Sequence, residues 1–263
     1  MIEVRHIQVK RGNKVIVHDA SFHIIPGKVC VLIGKNGAGK STLLDAICGR
    51  HKFLSGEVIW ENKHLRKIKL KDLAAYRAVL SQQISLNFAL TVKQVVEMGT
   101  YAYGNALTKR EVKEQVTMAL EEVEMLDFLE RSFSTLSGGE QKRVLLAKCL
   151  TQLLADPDKI ENKYLFLDEP TASLDLNQQH KLIELVKTLI QKYNIGVFTV
   201  MHDINLAALF ADTLLTMKEG IITHSGTPTH ILQPDILKDT LDINAIIHTH
   251  PILGCPQVTA LPL

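Results

Sequence analysis

Apolar and polar residues alternate over the first 25 residues of the chain, which is typical of β-strands with one buried face. The polar run 11–14 interrupts the alternation as a turn would. The alternating groups are Ile2/Val4, Ile7/Val9, Val15/Val17 and Ala20/Phe22/Ile24. We therefore predict an antiparallel sheet in this region, and one more strand over Ser55–Trp60.

Three later runs are apolar apart from Thr199 and predict strands buried on both faces, as in a parallel sheet. They cover residues 29–33, 164–167 and 197–201. Apolar residues at helical spacing follow each of them or stand between them, and these predict helices over 43–50, 108–131, 137–154 and 176–193. A closing hairpin around 218–220 and a tail of one short helix plus an apolar, proline-bearing segment complete an α/β fold.

The composition limits the classes of function that the chain can have. The 263 residues carry 30 Lys plus Arg against 28 Asp plus Glu, a net charge of +2, and no basic block, which argues against nucleic acid as a partner. No apolar run reaches the roughly 20 residues that a membrane-spanning helix needs, and the N-terminus lacks signal-peptide features. Four scattered cysteines without a CxxC pair suit reduced thiols. We expect a cytoplasmic protein.

A glycine-rich loop follows the first buried strand and precedes a helix. Its spacing, GxxxxGK(S/T), is that of a phosphate-binding loop, in which backbone N–H groups and the helix dipole make an anion site. Lys40 would reach the β- and γ-phosphates, and the Ser41 hydroxyl would bind Mg²⁺. Gly37 and Gly39 would allow backbone conformations that side chains forbid. The loop residues are Gly34, Lys35, Asn36, Gly37, Ala38, Gly39, Lys40 and Ser41.

Polar residues follow other predicted strands at their carboxyl ends, where α/β sheets bind ligands. Asp168 would hold Mg²⁺, and Glu169, pointing to the other side of the strand, would be the general base for water. Gln82 ends a predicted strand over 78–82, where it could bind Mg²⁺, orient water or simply be solvated. His202 follows another strand and could sense the γ-phosphate, although a lone histidine there is commonly structural.

The segment Leu136–Gln141 opens a predicted helix and has two interpretations. Ser137 and Glu140 have the spacing of a capping box, which needs no ligand. Gly138 and Gly139 in the first turn favour a site where a phosphate approaches the backbone, since glycine is poor in helices. A separate apolar stretch, 87–92, precedes a short helix with Val95, Val96 and Met98, and is a candidate docking surface.

Four segments occur in one order and at compatible spacing: GKNGAGKS, LSGGEQ, YLFLDEP and SLD. Together with His202 at a strand end, they resemble the ATP-binding subunits of ABC transporters. The resemblance covers nearly the whole chain. It implies a P-loop ATPase core that uses ATP and Mg²⁺. It also assigns names to the segments: Walker A loop Gly34–Thr42, Q-loop Gln82, signature Leu136–Gln141, Walker B pair Asp168 and Glu169, D-loop Ser173–Asp175 and switch histidine His202. Arg11 stands where the family has an aromatic residue that stacks on adenine.

The resemblance further implies how the protein is organised. One ABC ATP-binding domain, 1–263, would contain a nucleotide-binding core (1–82 and 155–226), a helical signature subdomain (83–154) and a C-terminal tail (227–263). Two copies would pack head to tail, so that Ser137, Gly138, Gly139 and Asp175 of one copy complete the ATP site of the other. The dimer would bind integral membrane permease subunits at the cytoplasmic face of the inner membrane, and indirectly a periplasmic or surface substrate-binding protein.

Narrower features are similar to the ATP-binding subunits of haemin importers, within the larger group that imports iron siderophores and cobalamin. They are the stretches 87–92 and 95–99, Tyr103-Gly104, the long loop 152–163, Asp175-Leu176 with Gln179-His180, and Gly226-Thr227-Pro228. Thr100 and Ala102 stand where the pattern has Arg and Pro. We therefore expect a haem importer, with a siderophore or cobalamin importer as the alternative. A soluble ATPase of iron–sulfur cluster assembly is the alternative from another class, and the apolar stretch 88–96 argues against it, because it suits a permease.

Overall fold

The computed structural model describes residues 1–82, 89–156 and 160–262. The strands are β1 (Ile2–Arg11), β2 (Lys14–Val17), β3 (Phe22–Ile24), β4 (Val29–Gly34), β5 (Ser55–Trp60), β6 (Lys63–His64), β7 (Arg77–Leu80), β8 (Tyr164–Asp168), β9 (Gly196–Val200), β10 (Thr213–Lys218), β11 (Ile221–Gly226), β12 (Ala245–Thr249) and β13 (Pro256–Ala260). The α-helices are α1 (Lys40–Ile47), α2 (Leu70–Tyr76), α3 (Val92–Glu97), α4 (Lys109–Glu122), α5 (Gly138–Leu154), α6 (Leu176–Tyr193), α7 (Ile204–Phe210), α8 (Pro228–Ile231) and α9 (Pro234–Leu241).

The described residues form two compact units. The first contains Met1–Ile68 and Gly196–Leu263, and the second contains Lys69–Ile195. No helix in the described ranges is both long enough and apolar enough to cross a membrane. The predicted division into core, signature subdomain and tail stays a prediction.

The first unit begins with the predicted antiparallel sheet, in which β1 pairs with β2, β3 and β5. The alternation in β1 changes phase between Val4 and Ile7, both of which are buried. His6, between them, has φ 46°, and the register with β5 shifts over the same stretch. This irregularity keeps both halves of the strand facing the core, because an uninterrupted period of two would turn Ile7 outward.

The same unit contains a parallel arrangement around β4. All six residues of β4 are buried, and the strand pairs in parallel with β9 on one side and β10 on the other. Leu32 is opposite Val200 in one pairing and Leu215 in the other. β11 then pairs antiparallel with β10, as the predicted hairpin requires. The unbroken apolar run therefore corresponds to a strand covered on both faces, as predicted.

The second unit combines a strand pair with helices. β7 and β8 are parallel, with Val79 opposite Phe166. The 17-residue helix α5 packs against α3, α4 and β7. Its buried residues include Val144, Leu146 and Leu150. Because Val144 and Leu146 are two residues apart, the apolar helix that the sequence predicts is buried on more than one side.

The helix predicted over 108–131 is wrong at its carboxyl end. α4 stops at Glu122, and Glu124 has φ 56°, in the left-handed region that ends a helix. Residues 126–128 then form a short 3-10 turn. Val123 and Met125 are both buried. If the helix continued, these two residues would face opposite sides, because they are two positions apart. The change of chain direction at Glu124 allows both side chains to reach the core.

Two further expectations need correction. Leu176, the first of the apolar residues at helical spacing on which the helix over 176–193 is predicted, is 68% exposed, because the first turn of this helix lies at the surface. The tail is more regular than predicted: it contains two helices, α8 and α9, and the antiparallel pair β12–β13. Proline stands in the first turn of both helices, where its missing N–H costs nothing, so these prolines start helices instead of breaking them.

Candidate functional site

The glycine-rich loop of the first unit connects β4 to α1, as predicted. Gly37 and Gly39 have φ 80° and 105°, conformations that side chains disfavour. Gly39 is the N-cap of α1, so the helix begins at Lys40 with its first N–H groups directed toward the loop. The Lys40 ammonium donates to the Gly34 and Lys35 carbonyls at 2.8 and 2.9 Å. A buried cation is thus held on the inner side of a loop with the geometry of an anion site.

Other parts of the first unit support this loop, and sequence reasoning did not identify them. The Gly220 N–H, in the turn between β10 and β11, donates to the Ala38 carbonyl at 3.0 Å. A Cβ on Gly39 would lie 3.1 Å from the Ile16 carbonyl oxygen and 3.3 Å from Met217 Cε. The loop is therefore packed against β2 and the β10–β11 turn, whose sequences carry no signal of that role.

Two charged residues near the loop form exposed ion pairs. Arg11, at the end of β1, donates to Asp45 of α1 at 2.7 Å. Lys35, within the loop, pairs with Asp242 at 3.2 Å. Exposed pairs contribute little to stability. The predicted stacking of Arg11 on adenine stays a prediction, and it would compete with the Asp45 contact.

His202 lies in the same unit, two residues after β9. It is exposed, and the next residue, Asp203, caps α7 by accepting from the Leu206 N–H at 2.9 Å. The Met201 N–H donates to the Leu32 carbonyl at 3.1 Å, which extends the β9–β4 pairing beyond the strand. Since parallel strands end at the same edge, His202 follows the edge at which the loop begins. Its predicted contact with phosphate stays a prediction.

The carboxyl end of β8 in the second unit brings together three predicted residues. Asp168 is the last residue of the strand, and Glu169 leaves it with φ 50°. The turn at Glu169, and not the alternation of a strand, therefore sets the direction of this side chain. Gln82 lies two residues past the end of β7, which is shorter than the predicted strand. Its amide Nε2 donates to Glu169 Oε2 at 2.6 Å.

Lys142 belongs to this group, although no sequence pattern singles it out. Its ammonium donates to the main-chain carbonyl of Gln82 at 3.0 Å. Burial lowers the pKa of Lys142, while the nearby carboxylates of Asp168 and Glu169 act in the opposite direction and favour its charge. A half-buried cation therefore faces the acids at the end of β8. Such a residue has no recognisable spacing, because it lies 60 positions from Gln82.

The signature segment, Leu136–Gln141, starts α5 with a complete capping box. The Glu140 carboxylate accepts from the Ser137 N–H at 2.7 Å and from its hydroxyl at 2.9 Å, and the Ser137 hydroxyl accepts from the Glu140 N–H. These bonds, first the backbone one, lower the pKa of Glu140. The capping interpretation is confirmed, and it leaves the phosphate interpretation open, since Ser137 and Gly138 are both exposed.

Gly139 and Asp175 both lie next to Gln178, in the first turn of α6. A Cβ on Gly139 would lie 2.6 Å from Gln178 Oε1, so any larger residue would displace that side chain. Asp175 caps α6 by accepting from the Gln178 N–H at 2.9 Å. The starts of α5 and α6 therefore meet closely at Gln178, whose flexible side chain would have to move if residue 139 carried a Cβ.

The donor types fit a magnesium ion. Ser41, Gln82 and Asp168 offer hydroxyl, amide and carboxylate oxygens, which are the hard ligands that Mg²⁺ prefers. Within the described ranges no cluster of three or more His, Cys, Asp or Glu side chains could hold a metal by itself.

Comparisons with known proteins agree with this geometry. The family model described as ABC transporter matches residues 17–172. The hemin import ATP-binding protein HmuV of Methylobacillus flagellatus is 35% identical over 260 residues, covering 99% of this chain and 96% of the relative. The protein of the same name from Burkholderia thailandensis is 39% identical over 249 residues, covering 90% and 92%.

Solved structures show the same fold. A protein described as a metal-chelate type ABC transporter in an inward-facing conformation has a TM-score of 0.82 at 22% identity, covering 99% of this chain and 97% of that chain. A dimeric bacterial ABC transporter cassette has a TM-score of 0.72 at 26% identity, covering 87% and 99%. The expected α/β P-loop fold is confirmed.

Proposed function

The chain belongs to the ABC transporter family of ATP-binding proteins, and we propose that it is the ATP-hydrolysing motor subunit of an importer for haem or a related iron chelate. The hydrogen bond between Gln82 and Glu169 is the observation that supports the assignment as a motor. It connects Glu169, the candidate base, to Gln82, from which the chain continues toward the candidate docking stretch 87–92. The choice of haem is supported by relatives that match over nearly their whole length and are named for hemin import.

Each candidate residue has a proposed task in hydrolysis. The N–H groups of Gly34–Thr42 and the Lys40 ammonium would bind the phosphates, exchanging the carbonyls that Lys40 now contacts for phosphate oxygens. Glu169 would orient the attacking water and accept its proton, and His202 would contact the γ-phosphate. Arg11 would stack on adenine after leaving Asp45.

Ser41, Asp168 and Gln82 are the proposed ligands of Mg²⁺, and their oxygen donors suit it. When bound, the ion would neutralise part of the charge on the phosphate oxygens. The Gln82 amide has two ends, so its nitrogen can remain directed at Glu169 while its oxygen serves as an acceptor elsewhere.

A second copy of the chain is the proposed partner that completes the site. Ser137, Gly138, Asp175 and Leu176 are all exposed at the starts of α5 and α6. The similar cassette described as dimeric supports a dimer. In the proposed dimer, Ser137–Gly139 and Asp175 would reach the nucleotide held by the other copy.

A permease is the second proposed partner, at the cytoplasmic face of the inner membrane, with a periplasmic or surface binding protein acting indirectly. The predicted docking stretch 87–92 lies partly outside the described residues, which resume at Ala89. The helix after it, α3, contributes to a groove of about 560 Å³ that Lys93, Glu97 and Tyr101 help to line. Tyr101 is 70% exposed, and its ring would suit an apolar segment of a partner.

Reconstitution with the permease tests the proposal. ATP hydrolysis is measured in vesicles that contain the permease, with haemin, a ferric siderophore or cobalamin supplied on the matching binding protein. We expect haemin to stimulate hydrolysis the most. Stronger stimulation by a siderophore or cobalamin would overturn the choice of haem. A chain that hydrolyses ATP but never associates with any permease in the membrane fraction would overturn the importer assignment.

A further inference from the structure

Lys142 joins the signature helix to the Gln82–Glu169 pair. It is the fifth residue of α5 and directly follows the signature segment. Its ammonium donates to the Gln82 main-chain carbonyl at 3.0 Å, and the Gln82 side chain donates to Glu169 at 2.6 Å. A continuous chain of contacts thus runs from the start of α5 to the candidate base. All three residues belong to the second unit.

We propose that Lys142 is a positioning residue that anchors the main chain of Gln82 and so sets where the Gln82 amide meets Glu169. This proposal rests on the roles assigned above to Gln82 and Glu169. Gln82 is exposed and lies beyond the last residue of β7, so the strand pairing that holds Leu80 does not reach it. A side-chain amide in water competes poorly for one partner unless its backbone is fixed.

The chemistry at this position suits an anchor. Lys142 is half-buried, and a cation is tolerated there because two carboxylates and a carbonyl are close. A charged donor makes a stronger bond to a carbonyl than a neutral donor does. Since Lys142 is on α5, any displacement of the signature segment by a partner copy would act on Gln82 through this bond. The contact therefore links the signature of one chain to the candidate base of the same chain.

A double-variant cycle tests the link. Lys142→Met removes the donor at similar length, and Gln82→Ala removes the amide on which the anchor acts. Lys142→Met should lower kcat for ATP by about tenfold, the effect of losing one hydrogen bond with a charged donor, and leave KM within about twofold. Combined with Gln82→Ala, it should cause no further loss. A structural role for Lys142 in α5 would instead lower kcat equally in both backgrounds.

Two further variants separate the hydrogen bond from the bulk of the side chain. Lys142→Arg keeps a charged donor and should restore most of kcat, and Lys142→Gln keeps a neutral donor and should restore part of it. Additive losses in the cycle, an unaltered kcat in Lys142→Met, or failure of Arg to rescue would each overturn the proposal. Glu169→Gln, assayed in parallel, separates this outcome from failure of the proposed base. Full turnover in that variant would refute the base on which the proposal rests, whereas a large loss there together with an unaltered kcat in Lys142→Met would refute only the role of Lys142.

Discussion

The two ends of β8 contain the same kinds of charged residue in opposite arrangements. At the amino end, Lys163 and Asp156 are in direct contact and almost wholly buried, and Lys163 also donates to the Ala75 carbonyl at 3.2 Å. At the carboxyl end, the carboxylate of Glu169 accepts from a neutral amide, and Lys142 donates to a main-chain carbonyl.

The difference separates a stabilising cluster from a reactive one. A buried lysine and aspartate neutralise each other, which makes the contact costly to break but leaves no charge for other work. Glu169 and Asp168 are only partly buried, and the positive charge of Lys142 is near them while its hydrogen bond goes elsewhere. The carboxyl end thus keeps negative charge where water and a metal ion could use it.

The largest expected effect is at the carboxyl end. Glu169→Gln keeps the shape and removes the basic oxygen, so ATP turnover should fall by about 10²–10⁴-fold, the contribution of a general base. ATP binding should persist, and the protein should accumulate as an ATP-bound dimer. Phosphate release and gel filtration with ATP measure both effects. Glu121→Gln, on the exposed face of α4, is the matched control. Turnover near the wild-type rate would show that Glu169 is not the base.

A substitution at the amino end of β8 should lower the free energy of unfolding and leave ATP turnover unchanged. Asp156→Ala leaves Lys163 charged and buried, which should cost about 3–5 kcal/mol of unfolding free energy. Denaturant titration measures the loss, and ATP turnover per folded molecule should stay at the wild-type rate. The double variant Asp156→Leu with Lys163→Met should recover most of the stability, because no buried charge is left. Equal stability of Asp156→Ala and wild type would contradict the assignment.

Two capping boxes provide a second comparison between a structural residue and a proposed functional one, and substitutions there should have the smallest effect on the free energy of unfolding. Thr108–Glu111 on α4 and Ser137–Glu140 on α5 have the same hydrogen bonds. Thr108→Ala and Ser137→Ala should each cost about 1 kcal/mol of unfolding free energy, the usual value of an N-cap. Only Ser137→Ala should also lower ATP turnover, since only that serine is proposed to meet a phosphate. Equal ATP turnover in the two variants would show that Ser137 serves only as a helix cap.

Features that depend on near neighbours could be predicted from the sequence. The glycine loop, the two capping boxes and the buried strands all have signals within about ten residues, because backbone conformation, capping and strand burial follow local spacing. The positions of Gln82, Asp168, Glu169 and His202 after strands followed from the same logic. Local spacing failed where the end of an element depends on packing, as at the end of α4 and the first turn of α6.

Tertiary structure alone decided which distant residues meet. Lys142 and Gln82 are 60 positions apart, and Gly220 supports a loop that begins at Gly34. Such contacts depend on the order of strands and the packing of helices, and no short stretch of sequence encodes either one. The regular structure of the tail, with β13 hydrogen-bonded to Asn205 of α7, belongs to the same class. The sequence determined the chemistry that this chain carries, and folding determined which groups hold that chemistry in place, because position in space is a property of the whole chain.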